Sequence, residues 1–348
     1  MKETPEDFIV EEVLDLKLKR NGDYSYFILE KRNWTTLKAI EFIANALKMP
    51  VKRFSFAGQK DRQGITKQYV SAFHVSESML NKIKLKDIKI TFLGYGDEQI
   101  SLGSLIGNKF KIKFKTNKKV DFIVNYYDEQ RFGGYRPNMH LIGKMVLLKR
   151  YEEAVKLFLL YPFENETKDY KAARKRQEKN WGKWHVDRYP KYLINERKVI
   201  GYLAKYPEDF KGALQILPKQ LFDMFVQAFQ SYIWNESLSR YLRFKFKKCR
   251  EVPYSVGKFV FVDEFINMKW PIVGNDTKVS GEIKKYIEEV MKEQNVEYKT
   301  FSRGLERDAM VRVKDFKNEG EYISFFLPKG AYATIVVKTI SSLDPKAV

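Results

Sequence analysis

Gly58-Gln59-Lys60-Asp61-Arg62-Gln63-Gly64-Ile65-Thr66-Lys67-Gln68 is the stretch on which the reading of this chain turns. A carboxylate sits on a glycine-flanked turn with a cation on either side. The turn lies between two runs, 53–57 and 66–74, whose patterning predicts strands. Taken alone, a charged hairpin loop accounts for these residues. They also suit an aspartate that stays ionised and exposed, as a nucleophile or base must.

Working outward, 7–14 and 24–31 read as strands. Thr35 or Thr36 can cap a helix carrying Leu37, Ile40, Ile43 and Leu47 at helical spacing, which Pro50 ends. Residues 108–115 alternate strictly between apolar side chains and lysines, so Phe110, Ile112 and Phe114 share one face of a strand. The lysines opposite form a solvated surface. From about residue 134 the texture changes to helices, over 140–160, 219–242 and 281–294. Strands return at 310–314, 321–327 and 331–340, the last two joined by Pro328-Lys329-Gly330. Strands, then helices, then strands imply an α+β chain whose first domain is split by an insertion.

The 348 residues could hold two domains, and a 44% hydrophobic content with 26 Phe and 21 Tyr can fill a sizeable core. The net charge of +20 calls for a polyanionic partner, and nucleic acid fits best, because Lys and Arg along phosphates release counterions. A charged thermophile surface is the competing account. One cysteine, Cys249, excludes an internal disulfide and a cysteine-rich zinc site. His74, His140 and His185 have no metal-ligand spacing, and no metal is expected. No membrane-spanning run or signal sequence is visible, so a cytoplasmic protein is expected. In 168–198, Lys171, Arg174, Lys175, Arg176, Lys179, Lys183, Arg188, Lys191 and Arg197 mingle with Trp181, Trp184, Tyr189 and Tyr192. That mixture suits either phosphate contacts with base stacking or an exposed helix-loop anchored by its rings. No phosphate-binding glycine loop, dinucleotide turn, nucleophile elbow or His-Glu-x-x-His helix occurs. An enzyme built this way works through carboxylates and binding energy, which directs attention back to Asp61.

Several ordered stretches together resemble the TruD family of RNA pseudouridine synthases. They are Pro5-Glu6-Asp7-Phe8-Ile9-Val10, Ser55-Phe56-Ala57-Gly58-Gln59-Lys60-Asp61 with Thr66 and Gln68, Gly107-Asn108-Lys109-Phe110, Asn125-Tyr126-Tyr127-Asp128-Glu129-Gln130-Arg131-Phe132-Gly133, Gln227-Ala228-Phe229-Gln230-Ser231-Tyr232-Ile233-Trp234-Asn235, and Phe325-Phe326-Leu327-Pro328-Lys329-Gly330-Ala331-Tyr332-Ala333-Thr334. The resemblance implies an α/β (α+β) pseudouridine synthase fold with a mixed, mainly antiparallel sheet. It also implies a catalytic domain over 1–133 and 306–348 and an inserted TRUD domain over 134–305. It makes Asp61 the essential carboxylate, acting at C1′ or as a proton acceptor after glycal formation, and aligns Lys2 with a lysine that pairs with it. Read without the family, Lys2 is a solvated terminus. Asn108 and Phe110 match the family's Asn-x-Phe motif, with the amide near the aspartate and the ring stacking on the target base. Phe8 and Phe325 are candidates for the pocket wall, and Gln130 and Arg131 for supporting or phosphate contacts. Each of these rings read alone is a core residue. Gln59, Thr66 and Gln68 are expected to hold the turn in shape. The reaction needs no cofactor, and the expected partner is tRNA, with uridine 13 the position that bacterial members modify. Gly64 and the compact insertion are closer to archaeal or eukaryotic-type members. The rivals are an RNA-binding chaperone of the same fold without catalysis, and a carboxylate-dependent nuclease, for which no acidic metal cluster is visible near Asp61.

Overall fold

The computed structural model describes residues 4–101, 103–161, 163–164 and 166–343. The chain divides into two compact units: residues up to Ile123 together with those from Val311 onward, and Val124–Met310. In chain order the first runs β1 Phe8–Leu14, β2 Tyr24–Arg32, α1 Thr36–Ala46, β3 Phe54–Phe56, β4 Ile65–Phe73, α2 Glu77–Asn81, β5 Ile88–Gly96 and β6 Leu105–Lys113, and β7 Phe122–Val124 leads out. The second holds α3 Met139–Leu147, α4 Tyr151–Leu159, α5 Lys168–Lys179, α6 Ile194–Leu203, α7 Phe210–Gln215 and α8 Lys219–Lys245. It continues with β8 Arg250–Tyr254, β9 Gly257–Phe261, β10 Lys269–Ile272, α9 Gly281–Glu293 and β11 Leu305–Asp308. The chain returns through β12 Met310–Arg312 to β13 Lys314–Glu319, β14 Tyr322–Pro328 and α10 Ala333–Ser342.

The first unit is built on an eight-stranded sheet in the order β13-β14-β6-β1-β4-β2-β5, with β3 added beside β4. Only β1 and β4 pair in parallel, so the sheet is mixed and mainly antiparallel. The Thr35 side chain accepts from the Lys38 amide, which satisfies a free donor at the start of α1. Ala39, Ile40, Ile43 and Ala44 of that helix join Phe27, Leu29 and Val70 of the sheet in one buried cluster. The alternation along β6 places Asn108, Phe110 and Ile112 inward, while Lys109, Lys111 and Lys113 are exposed.

Two expectations are corrected. Residues 331–340 are not a strand: the chain turns through Gly330, at φ 83°, into α10. Its β-branched residues read as strand, but Ala333, Val336, Val337 and Ile340 fall at helical spacing and are all buried, so packing overrides propensity. Residues 140–160 are two helices rather than one. Lys149, at φ 58°, breaks the run, and the following turn begins again with Glu152 and Glu153 in its first helical turn.

Candidate functional site

Cross-strand register assembles the candidate residues before any side chain is considered. Lys31 pairs with Thr66, Thr66 with Val10, Val10 with Phe110, and Phe110 with Phe325, forming one row across four strand junctions. A neighbouring row joins Glu12, Asn108 and Leu327. Directly paired residues project from the same face, so both rows present their side chains to one side of the sheet. The Asp61 turn connects β3 to β4, which lies between β1 and β2.

A chain of hydrogen bonds sets the shape of that turn. Gln68 Nε2 donates to the Gly58 carbonyl (3.3 Å), and Thr36 Oγ1 donates to Gln68 Oε1 (2.8 Å) while accepting from the Lys60 amide (2.9 Å). Lys31, buried to 1% exposure, donates from Nζ to the carbonyl oxygens of Asp61 (2.9 Å) and Trp34 (2.6 Å). Burial lowers the Lys31 ammonium to about 8; the charge of Asp61 works in the opposite direction, and that of Lys60 adds to the lowering. Gly64 closes the turn at φ 126°, and a Cβ there would lie 2.5 Å from the Phe8 carbonyl, so only glycine lets β4 start beside β1. Asp61 itself is half-buried.

The two cations flanking Asp61 have different surroundings. Lys60 Nζ turns inward, donating to Asn108 Oδ1 at 2.9 Å and pairing with Glu12 Oε1 at 2.8 Å. The Glu12 side chain is fully buried, and its other oxygen accepts from the Tyr69 amide at 2.9 Å. Arg62 is exposed and donates from Nε to the Asn33 carbonyl at 3.3 Å. Asn108 therefore meets the aspartate turn through the side chain of Lys60. Sequence reasoning passed over Lys31 and Glu12, which lie in ordinary strand patterns, and gave Thr36 a capping role alone; charge at an inward strand position was the available signal for the first two.

Phe8, Phe110 and Phe325 are brought together. The Phe110 centroid lies 6.2 Å from that of Phe8 and 5.6 Å from that of Phe325, and Phe325 stacks on Phe316 at 6.2 Å. All three are buried, Phe110 with 8% of its surface exposed. The position expected for Lys2 lies outside the described residues.

Gln130 and Arg131 belong to the Val124–Met310 unit, on a single turn of 3-10 helix over Glu129–Phe132. Gln130 is exposed. Arg131 donates from Nη1 to Gln227 Oε1 (3.3 Å) and lies 5.2 Å from the centre of the Tyr127 ring. The backbone of that family stretch is held from α8. Asn235 on α8 accepts from the Tyr127 amide (3.0 Å) and donates to its carbonyl (2.8 Å), and Trp234 donates to the Trp270 carbonyl (3.1 Å). In 168–198 most rings are anchors: Trp181 stacks on Phe210, and Trp184 and Tyr189 are buried. Arg174 is fully buried and paired with Glu166 and Glu196. Lys175, Lys179, Lys183, Arg188, Lys191 and Tyr192 remain exposed. Among the described residues no cluster of three or more His, Cys, Asp or Glu suits a metal, and no helix is long and apolar enough to cross a membrane.

The crystal structure of a Methanosarcina mazei protein assigned as tRNA pseudouridine synthase D (TruD) superposes with a TM-score of 0.73 at 28% identity, covering 100% of this chain and 94% of that one. The fold is that of a pseudouridine synthase, an isomerase. The family model described as tRNA pseudouridine synthase D (TruD) matches residues 1–253 and 256–340, and the chain belongs to that family. Similar proteins include the "Probable tRNA pseudouridine synthase D" of Archaeoglobus fulgidus, 32% identical over 97% of this chain and 93% of its own. The "tRNA pseudouridine synthase D" of Aquifex aeolicus is 30% identical over 100% of this chain and 99% of its own.

Proposed function

We propose that this chain converts a uridine of tRNA, uridine 13, to pseudouridine, with Asp61 as the catalytic carboxylate. The C1′–N1 bond breaks, the uracil turns, and C1′ joins C5. C5 gives up a proton and N1 gains one, so atoms and electrons balance with no cofactor. Asp61 acts either by attack on C1′ or by abstracting a proton after glycal formation, and both routes need it ionised.

The observation that carries this reading is the meeting of the Asp61 turn, through Lys60, with the inward face that bears Asn108 and Phe110. A backbone carbonyl bonded to a buried lysine holds the turn in one conformation, as positioning for a near-attack geometry requires. The target base must leave its stack to reach a carboxylate, and aromatic contact lowers the cost of unstacking by about 1–3 kcal/mol per base. Phe110, supported by Phe8 and Phe325, takes that role. Lys2 supplies the pairing cation, and Gln130 and Arg131 contact phosphate. Catalysis is assigned to the discontinuous domain, residues 1–133 and 306–348, and 134–305 to the insertion that grips RNA in the cytoplasm. Base-resolution mapping of pseudouridine in unmodified tRNA transcripts incubated with the protein tests the position. Modification at 13 is expected; modification confined to another position removes the assignment of that uridine.

A further inference from the structure

The Val124–Met310 unit contains a cavity of about 780 Å³, and Arg131, assigned above to phosphate, is one of its lining residues. Tyr127, Phe222 and Phe301 contribute rings to its walls, and Arg131, Gln227 and Arg303 contribute polar groups. Tyr127 and Phe301 are buried, and Phe222 is half-buried. Two of the three rings are thus packed into the interior.

The electrostatics of the cavity are incomplete. Arg131 makes no ion pair among the described residues; Gln227 and the Tyr127 ring are its side-chain partners. Its Nε is buried and has no acceptor. A guanidinium that no carboxylate neutralises favours an anion beside it. Arg303 is almost wholly exposed and only loosely paired with Asp276 at 3.9 Å. Asp223 is the carboxylate in the lining, and it pairs with neither arginine among the described residues. A planar cation with open donors, beside flat rings, in a chain of net charge +20, matches a phosphate joined to an aromatic base. An apolar peptide would leave Arg131 without a counter-charge.

We infer that this cavity takes a second unpaired nucleotide of the RNA substrate, apart from the uridine that reacts, with its phosphate on Arg131 and Arg303 and its base against the ring wall. The inference rests on the reading of tRNA as substrate. The test is equilibrium binding of tRNA across a salt series with the full chain and its Arg131→Gln, Arg303→Gln and Phe222→Ala variants. Lys205→Gln, at an exposed lysine that is not part of the cavity lining, serves as control. Each arginine variant should weaken binding about tenfold and reduce the log–log salt slope by about one. Phe222→Ala should weaken it about tenfold with the slope unaltered, because a stacking contact is lost. Lys205→Gln should do neither.

Unaltered affinity and slope in Arg303→Gln and Phe222→Ala overturn the inference, and these two decide it if Arg131→Gln fails to fold. Release of tritium from 5-tritiated uridine in the same tRNA keeps the two readings apart. Absent release with lost affinity in the variants sinks the isomerase reading and leaves the subsite standing. Normal release with unaltered affinity does the reverse.

Discussion

Lys31 is held close to its own titration point by the interior. It is a buried ammonium on the inward face, and it donates to the carbonyl of Asp61. The folded chain releases this proton near pH 8, whereas the unfolded chain holds it to the ordinary 10.5. The unfolded state therefore binds more protons between those values, and the Lys31 contribution makes the fold more stable as pH rises through that window. Activity should move the other way, because above pH 8 the turn loses the cation behind its aspartate. A wild-type kcat/KM that declines above about pH 8, with that limb moved to higher pH in Lys31→Arg, is expected. Lys31→Met should lower kcat by about 100-fold through a displaced turn. A basic limb unchanged in Lys31→Arg would show that another group titrates. Phe110 makes a second test at this scale. Phe110→Leu keeps most of the buried volume at a cost of about 1 kcal/mol, so the protein should fold, bind tRNA within about threefold of wild type and turn over at least tenfold more slowly. Full turnover in that variant would make the ring packing alone. The turn at Asp61 and the shared inward face of Asn108 and Phe110 were legible because each is a short contiguous pattern. Lys31, Glu12 and Thr36 were not, since their roles arise where separate strands and a helix meet.

The elements divide by how locally their pattern is determined. The alternation in β6 and the capped stripe of α1 could be read directly, because one period fits each. In α10 a β-branched run hid a helical stripe that only burial against the sheet reveals. The break between α3 and α4 falls at a lysine of positive φ, a conformation with no signature in that residue type. The strands β8 to β11 are short and went unread, since four or five residues carry too little periodicity. Helix α8 supports a prediction of its own. Asn235 satisfies both backbone groups of Tyr127 while 1% exposed, so Asn235→Ala strands a buried donor and a buried acceptor. Its unfolding free energy should fall by about 2–4 kcal/mol in urea titrations. A change below about 0.5 kcal/mol would mean that water replaces the amide.

At the scale of the molecule, the excess of 20 positive charges and the strand-helix-strand order predicted a basic protein with a split domain, and the chain divides into a discontinuous sheet unit and a largely helical one. The aromatic-basic stretch 168–198 was ambiguous because composition cannot tell an anchoring ring from a stacking one. Most of its rings are anchors, which leaves the exposed lysines as its contribution to a charged surface. The central claim joins this basic body to a single carboxylate. It is tested most directly by tritium release from 5-tritiated uridine in tRNA, measured for the wild type and Asp61→Ala alongside tRNA binding. Release by the wild type, its loss by at least 1000-fold in Asp61→Ala (about 4 kcal/mol of transition-state stabilisation), and near-equal binding by both are expected. Release that persists in Asp61→Ala, or is missing from a wild type that binds tRNA, would contradict the account.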